Sequence, residues 1–165
     1  MKLTAAVITV SDSCYQGKRQ DSSGPRLQRL LRDSEFEITF TKTVPDVREQ
    51  IASTVREAAA QARFVVTTGG TGISARDVTP EATASVCDRM LDGVVAVMRA
   101  EGLNQTPFAA LSRGLCGTLG TSLVLNLPGN PAGAETSLKS VLSIVAHALD
   151  LLAGKTEHAR ASPKS

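Results

Sequence analysis

Between Thr67 and Thr83 the chain reads TTGGTGISARDVTPEAT, which sets three glycines beside an Arg-Asp pair and a Thr-Pro-Glu. Glycines at 69, 70 and 72 leave main-chain N–H groups open to close approach and permit φ > 0, the makings of a cradle for an anion such as phosphate. Asp77, a few residues on, would repel that anion. A second carboxylate, Asp46 in Val44-Pro45-Asp46, follows a segment of strand character. Two carboxylates beside a phosphate cradle make chemical sense if a hard cation lies between them. Mg²⁺ takes one or two carboxylates and completes its shell with phosphate oxygens and water. Asp46 and Asp77 are therefore candidate ligands of a metal that would sit beside a bound phosphate.

Groups placed this way need a rigid frame. The chain has 165 residues with 42% hydrophobic content, enough for one domain with a substantial core. Residues 1–153 form that domain, and 154–165 read as a polar tail. Ala5–Val10 is a nearly continuous apolar run, as in a strand covered on both faces. Ser22 or Ser23 caps a helix carrying Pro25 and the stripe Leu27, Leu30, Leu31. FEITFTKTV, Phe36 to Val44, alternates as a second strand. Asp46 then sits at the cap of a helix with the stripe Val47, Ile51, Val55, Ala59. Phe64–Val66 is a third strand. Helical patterning runs from about Glu81 to Leu103, broken near Asp92-Gly93. SLVLNL, Ser122 to Leu127, is a buried strand, and a long helix closes the domain with Leu138, Val141, Leu142, Val145 and Leu149 on one face.

Strands alternating with helices predict an α/β fold, a three-layer α/β/α domain with a mostly parallel central sheet. In such sheets ligands bind at the carboxyl ends of the strands. Those ends carry SDS, PD, TTGGTG and NLPGN, so four polar or glycine-bearing loops converge on one edge.

Composition removes several function classes. Aromatic residues are 3% with no Trp, which leaves few platforms for stacking single-stranded bases, and a net charge of +2 is spread along the chain. Nucleic-acid and membrane partners are not expected. Cys14, Cys87 and Cys116 show no C-x-x-C spacing, which fits a reducing cytosol and neither a disulfide framework nor a zinc site. MKLTAAVITV reads as a core strand, not a signal peptide. His147 and His158 are not spaced for a catalytic triad or a metal cluster.

Plainer roles compete at each position. The glycine loop could be a tight turn, although a turn needs fewer special φ values. It also matches G-x-G-x-x-A at Gly70, Gly72 and Ala75, but a dinucleotide-binding helix starting there would contain Pro80. Gly154-Lys155-Thr156 follows a helix and reads as its stop. Asp46 alone is an ordinary N-cap. Asp77 alone could pair with Arg76 or cap the helix that Pro80 and Glu81 begin. Ser11-Asp12-Ser13 either satisfies loop backbone or lines the site.

TVSDS at Thr9–Ser13, VPD at Val44–Asp46, TTGGTG with RDVTPEAT, TPFAALSR at Thr106–Arg113 and LNLPGNP at Leu125–Pro131 occur in an order that resembles the MogA/MoaB family of molybdenum cofactor biosynthesis. The likeness is strongest to the molybdopterin adenylyltransferases and the gephyrin G domain, and it reaches the end of the final helix. The resemblance implies a cytoplasmic homotrimer that transfers AMP from ATP to the terminal phosphate of molybdopterin, releases pyrophosphate, and passes its product to a molybdate-inserting partner. It implies Asp46 and Asp77 as the catalytic carboxylates working with Mg²⁺. It further implies that Gly69, Gly70, Thr71 and Gly72 hold phosphates, with Ser11, Ser13, Ser112, Asn126, Pro128 and Gly129 completing the pocket. Val47 stands where many relatives carry Glu, and Ala75 where they carry Pro or Arg. The alternative within the same family is a non-catalytic molybdopterin-binding scaffold.

Overall fold

A computed structural model describes residues 2–155. Six strands form one sheet in the order β2-β1-β3-β6-β5-β4. Strands β1 (Leu3–Val10), β2 (Phe36–Val44), β3 (Phe64–Thr68) and β6 (Ser122–Leu127) are mutually parallel. β5 (Cys116–Leu119) and β4 (Arg89–Met90) add an antiparallel edge. The expected mostly parallel sheet is thus present, with helices on both faces.

The two-residue alternation of the central strands explains the layers. Ala5, Val7, Phe64, Val66, Leu123, Leu125 and Leu127 face one side, where they pack with residues of α2 (Ser23–Asp33), α5 (Asp92–Leu103) and α6 (Pro131–Leu152). Ala6, Ile8, Val10, Val65 and Val124 face the other, against α3 (Arg48–Ala59) and α4 (Thr79–Val86). A strand buried on both faces has no polar alternation to show, which is why β1, β3 and β6 read as continuous apolar runs.

Several local expectations are corrected. The helical stretch from 81 to 103 is two helices, and its break lies at Cys87–Leu91, with Asp92-Gly93 inside the first turn of α5. The reason is tertiary: the amides of Asp88 and Leu91 donate to the carbonyls of Thr118 and Cys116, which turns the segment into an edge strand. β5 escaped the pattern because CGTL is short and holds one glycine; it joins β6 through a turn in which Gly120 takes φ +57°. Neither Ser22 nor Ser23 caps α2 with its side chain; Asp21 Oδ1 accepts from the Gly24 amide at 3.0 Å, and the Ser23 hydroxyl donates to the Gly129 carbonyl. Asp46 does not cap α3 either: Val47 occupies that position. In the α3 stripe Ala58 is fully buried, one residue before the expected Ala59. Apart from Gly154 and Lys155, the polar tail, His158 included, lies outside the described residues. Gly154 takes φ +80° directly after α6, as a helix stop requires.

Candidate active site

Because β1, β2, β3 and β6 run parallel, their four following loops meet at one sheet edge. After β1 the chain makes one helical turn, α1 (Asp12–Tyr15), with Ser11 as its cap: Ser11 Oγ accepts from the Cys14 amide at 3.2 Å. Ser11 Oγ also lies 3.2 Å from Ser13 Oγ. These two hydroxyls support the turn and do not line the main cavity. Between them Asp12 meets Asp46 in a reciprocal pair. The Asp12 amide donates to Asp46 Oδ2, and the Asp46 amide donates to Asp12 Oδ1, each at 2.9 Å.

The glycine loop is held from both sides. Gly69 has φ +102°, and its amide donates to the Leu127 carbonyl. Thr79 ties the loop to α4, its hydroxyl donating to the Gly69 carbonyl and its amide to that of Gly70. Gly70 and Gly72 leave room for the carboxylates. A Cβ at Gly70 would come within 3.0 Å of Asp46 Oδ1, and one at Gly72 within 2.8 Å of Asp77 Oδ2. Asp77 curls back on its own loop, accepting from the Ser74 amide at 3.0 Å. Asp46 and Asp77 therefore flank one short run of glycine backbone. Burial, opposed by the hydrogen bond from Asp12 and reinforced by the negative charges of Asp12 and Asp77, raises the Asp46 carboxyl above its ordinary value. A group crowded by like charge and still carrying an oxygen, Oδ1, turned towards the loop is suited to a cation.

Arg76 does not pair with Asp77. Its guanidinium forks onto Asp12, Nε to Oδ2 at 2.9 Å and the terminal nitrogen to both oxygens at 2.8 and 2.9 Å. The Asp46 main chain and this guanidinium hold the Asp12 carboxyl below its usual range.

On the opposite side Arg113 binds the loop. Its amide donates to the Thr71 carbonyl, its Nε to that of Gly72 at 2.7 Å, and a terminal nitrogen to that of Asp77 at 2.9 Å, while the other pairs with Glu81. The planar guanidinium serves three acceptors at once, a task an ammonium cannot repeat. Arg113→Lys is expected to lower kcat/KM roughly tenfold to hundredfold through a misplaced loop while Tm moves little, which steady-state kinetics beside thermal unfolding will check.

A cavity of about 470 Å³ opens beside the loop. Gly70, Thr71, Gly72, Asp77, Ser112, Pro128 and Gly129 form its polar wall. Val95 and Met98 of α5, with Phe108 and Leu111 of the 3-10 turn Pro107–Leu111, form an apolar one. Asn126 borders it too, but its side chain is spent internally: it donates to Thr67 Oγ1 at 3.0 Å and Thr83 Oγ1 at 2.8 Å, and accepts from the Leu115 amide. Asn126 thus fastens β6 to the neighbouring layers. Asn126→Ala is expected to cost about 2–4 kcal/mol, since it strands buried polar groups, and the loss will be read from denaturant midpoints. Gly69 and Asp46 lie behind the cavity wall, Asp46 reaching it past Gly70.

Among the described residues no three His, Cys, Asp or Glu side chains are gathered as a metal cage. Two carboxylates beside half-buried glycine backbone form a donor set that suits a cation taking its other ligands from phosphate and water. Burial pushes the thiols of Cys87 and Cys116 up to about 11 and about 12, so both stay protonated. The dinucleotide reading fails on geometry, because α4 starts at Thr79, well past Gly72. Sequence reasoning offered Asp12 only within the Ser11–Ser13 loop as a possible lining segment, and gave no site role to Arg76, Arg113 or Glu81. Arg113 ends the TPFAALSR segment and Asp12 sits within SDS, but nothing in their spacing names a partner.

Comparison with known proteins shows the family. Residues 6–147 match the family model described as "Probable molybdopterin binding domain". The chain is 37% identical over 158 residues to the Drosophila melanogaster molybdenum cofactor synthesis protein cinnamon, covering 91% of this chain but only 26% of that longer protein. It is 37% identical to the molybdopterin adenylyltransferase of Helicobacter pylori (strain 26695), over 90% of this chain and 86% of the relative. The crystal structure of the molybdopterin biosynthesis enzyme MoaB from Thermus thermophilus superposes with a TM-score of 0.87 at 42% identity, covering 93% of this chain and 98% of that one.

Proposed function

The chain belongs to the molybdopterin-binding domain family of molybdenum cofactor biosynthesis, and from that premise we propose that it is a molybdopterin adenylyltransferase. The observation that carries the reading is that Asp46 and Asp77 stand against Gly70 and Gly72 of the glycine loop, Asp77 on the wall of a cavity with one polar and one apolar side and Asp46 just behind that wall.

In the reaction an oxygen of the terminal phosphate of molybdopterin attacks the α-phosphorus of ATP. A new P–O bond forms, the bond to the β-phosphate oxygen breaks, and pyrophosphate leaves with its electron pair. The attacking phosphate is already anionic near neutral pH, so no general base is needed. What remains for the protein is positioning and charge stabilisation. Main-chain N–H groups of Gly70–Gly72 would meet the phosphates, with Ser112, Pro128 and Gly129 bordering the same cavity. Val95, Met98, Phe108 and Leu111 offer a face to a flat heterocycle. Asp46 and Asp77 would hold Mg²⁺. When bound, that ion would neutralise charge on the phosphates.

The same family reading makes the enzyme a cytoplasmic homotrimer that hands its product to a molybdate-inserting partner. No helix among the described residues is long and apolar enough to cross a membrane. The test is incubation with molybdopterin, ATP and Mg²⁺, followed by mass spectrometry. Adenylylated molybdopterin with stoichiometric pyrophosphate is the expected result. Bound molybdopterin with unconsumed ATP would overturn the reading in favour of a scaffold.

A further inference from the structure

We propose that Asp12 and Arg76 form a strap that sets the separation of Asp46 and Asp77, so that both act as positioning residues for the cation those carboxylates serve. The inference rests on the adenylyl-transfer reading above.

The sheet itself does not fix that separation. Asp46 follows β2 and Asp77 follows β3, and β1 lies between these two strands. No strand ladder joins the Asp46 turn to the Asp77 loop. The turn after β1 lies between them, and Asp12 is the residue of that turn which touches both. On one side it exchanges two 2.9 Å hydrogen bonds with Asp46, main chain to carboxylate in each direction. On the other it receives the forked guanidinium of Arg76, which is peptide-bonded to Asp77.

A continuous path of directional bonds therefore runs Asp46–Asp12–Arg76–Asp77. Both oxygens of Asp12 are occupied along it, so Asp12 is not offered as a third ligand. Its role is to carry geometry between two like charges that would otherwise spread apart. Arg76 is 63% exposed at its side chain, and an exposed ion pair adds little to folding stability. Residues that orient the ligands of a metal typically change its affinity ten- to a hundredfold.

Charge alone makes the opposite forecast. Removing a cation from beside two carboxylates should strengthen the binding of a divalent ion, whereas loss of the strap should weaken it. Mn²⁺ binding to the full chain, followed by the EPR signal of the free ion, separates the two.

Arg76→Ala is expected to weaken Mn²⁺ roughly tenfold with Tm nearly unchanged. Arg76→Lys, which restores charge but not the fork, should recover little of that loss. Asp12→Asn combined with Arg76→Ala should be no worse than the more damaging single change, because both break the same path. Mn²⁺ binding that is unchanged or tighter in Arg76→Ala, while Asp46→Ala abolishes it, overturns the strap and leaves the metal site standing. Binding that survives Asp46→Ala overturns the metal site and the strap together.

Discussion

Asp46→Ala is expected to reduce adenylyl transfer by about a thousandfold or more while leaving molybdopterin binding within a few-fold of wild type. The figure follows from charge stabilisation by a bound metal being worth several kcal/mol in the transition state, at 1.36 kcal/mol per decade of rate. Stability should change little. Asp46 is held above its ordinary carboxyl value mainly because burial disfavours its charge, so folding with it ionised carries a cost that alanine removes. That gain offsets the bond Asp46 Oδ2 accepts from the Asp12 amide. Single-turnover rates beside equilibrium binding of molybdopterin will separate the two effects. A rate within a few-fold of wild type would remove Asp46 from the mechanism.

The second large effect divides two adjacent glycines by what each touches. Gly69→Ala should destabilise the fold by about 3–5 kcal/mol. A side chain there would sit at φ +102°, outside the regions L residues normally adopt, and would run into the carbonyl oxygen of Val10, part of the rigid β1 backbone. Tm would fall by roughly 10 °C or more in a chain of this size. Gly70→Ala is different. Its φ of +68° is the left-handed conformation, which costs alanine about 1–2 kcal/mol. Its Cβ meets side-chain atoms, Thr79 Oγ1 and Asp46 Oδ1, which can move. The fold should survive, but Asp46 is displaced and Thr79 risks its bond to the Gly69 carbonyl, so activity should drop by about a hundredfold. Thermal unfolding and kcat measured on both variants will show the crossover. Equal losses of stability would contradict it.

How much of this was legible beforehand depended on range. The parallel strands were legible because burial on both faces leaves uninterrupted apolar runs, as in AAVITV and SLVLNL. The glycine loop was legible because several glycines in succession exceed what a turn needs. β4 and β5 were not, since Arg89-Met90 and CGTL carry almost no pattern and exist only because each pairs with a neighbour. Asn126, a candidate ligand-binding residue of the NLPGN segment, borders the cavity, but that its side chain also bonds Thr67, Thr83 and Leu115 could not be read from the sequence.

The amino-acid sequence by itself determined the succession of strands and helices, and hence that the loops after β1, β2, β3 and β6 share an edge, because these follow from periodicity and from the chain direction of a parallel sheet. It also determined that a run of glycines and two carboxylates stand in those loops. Only the tertiary structure decided which side chains meet. Asp12 and Arg76 are 64 positions apart and Arg113 and Glu81 are 32 apart. A carboxylate or guanidinium has many possible partners of nearly equal intrinsic strength in water, and the choice among them is made when packing of the helices against the sheet brings one within reach.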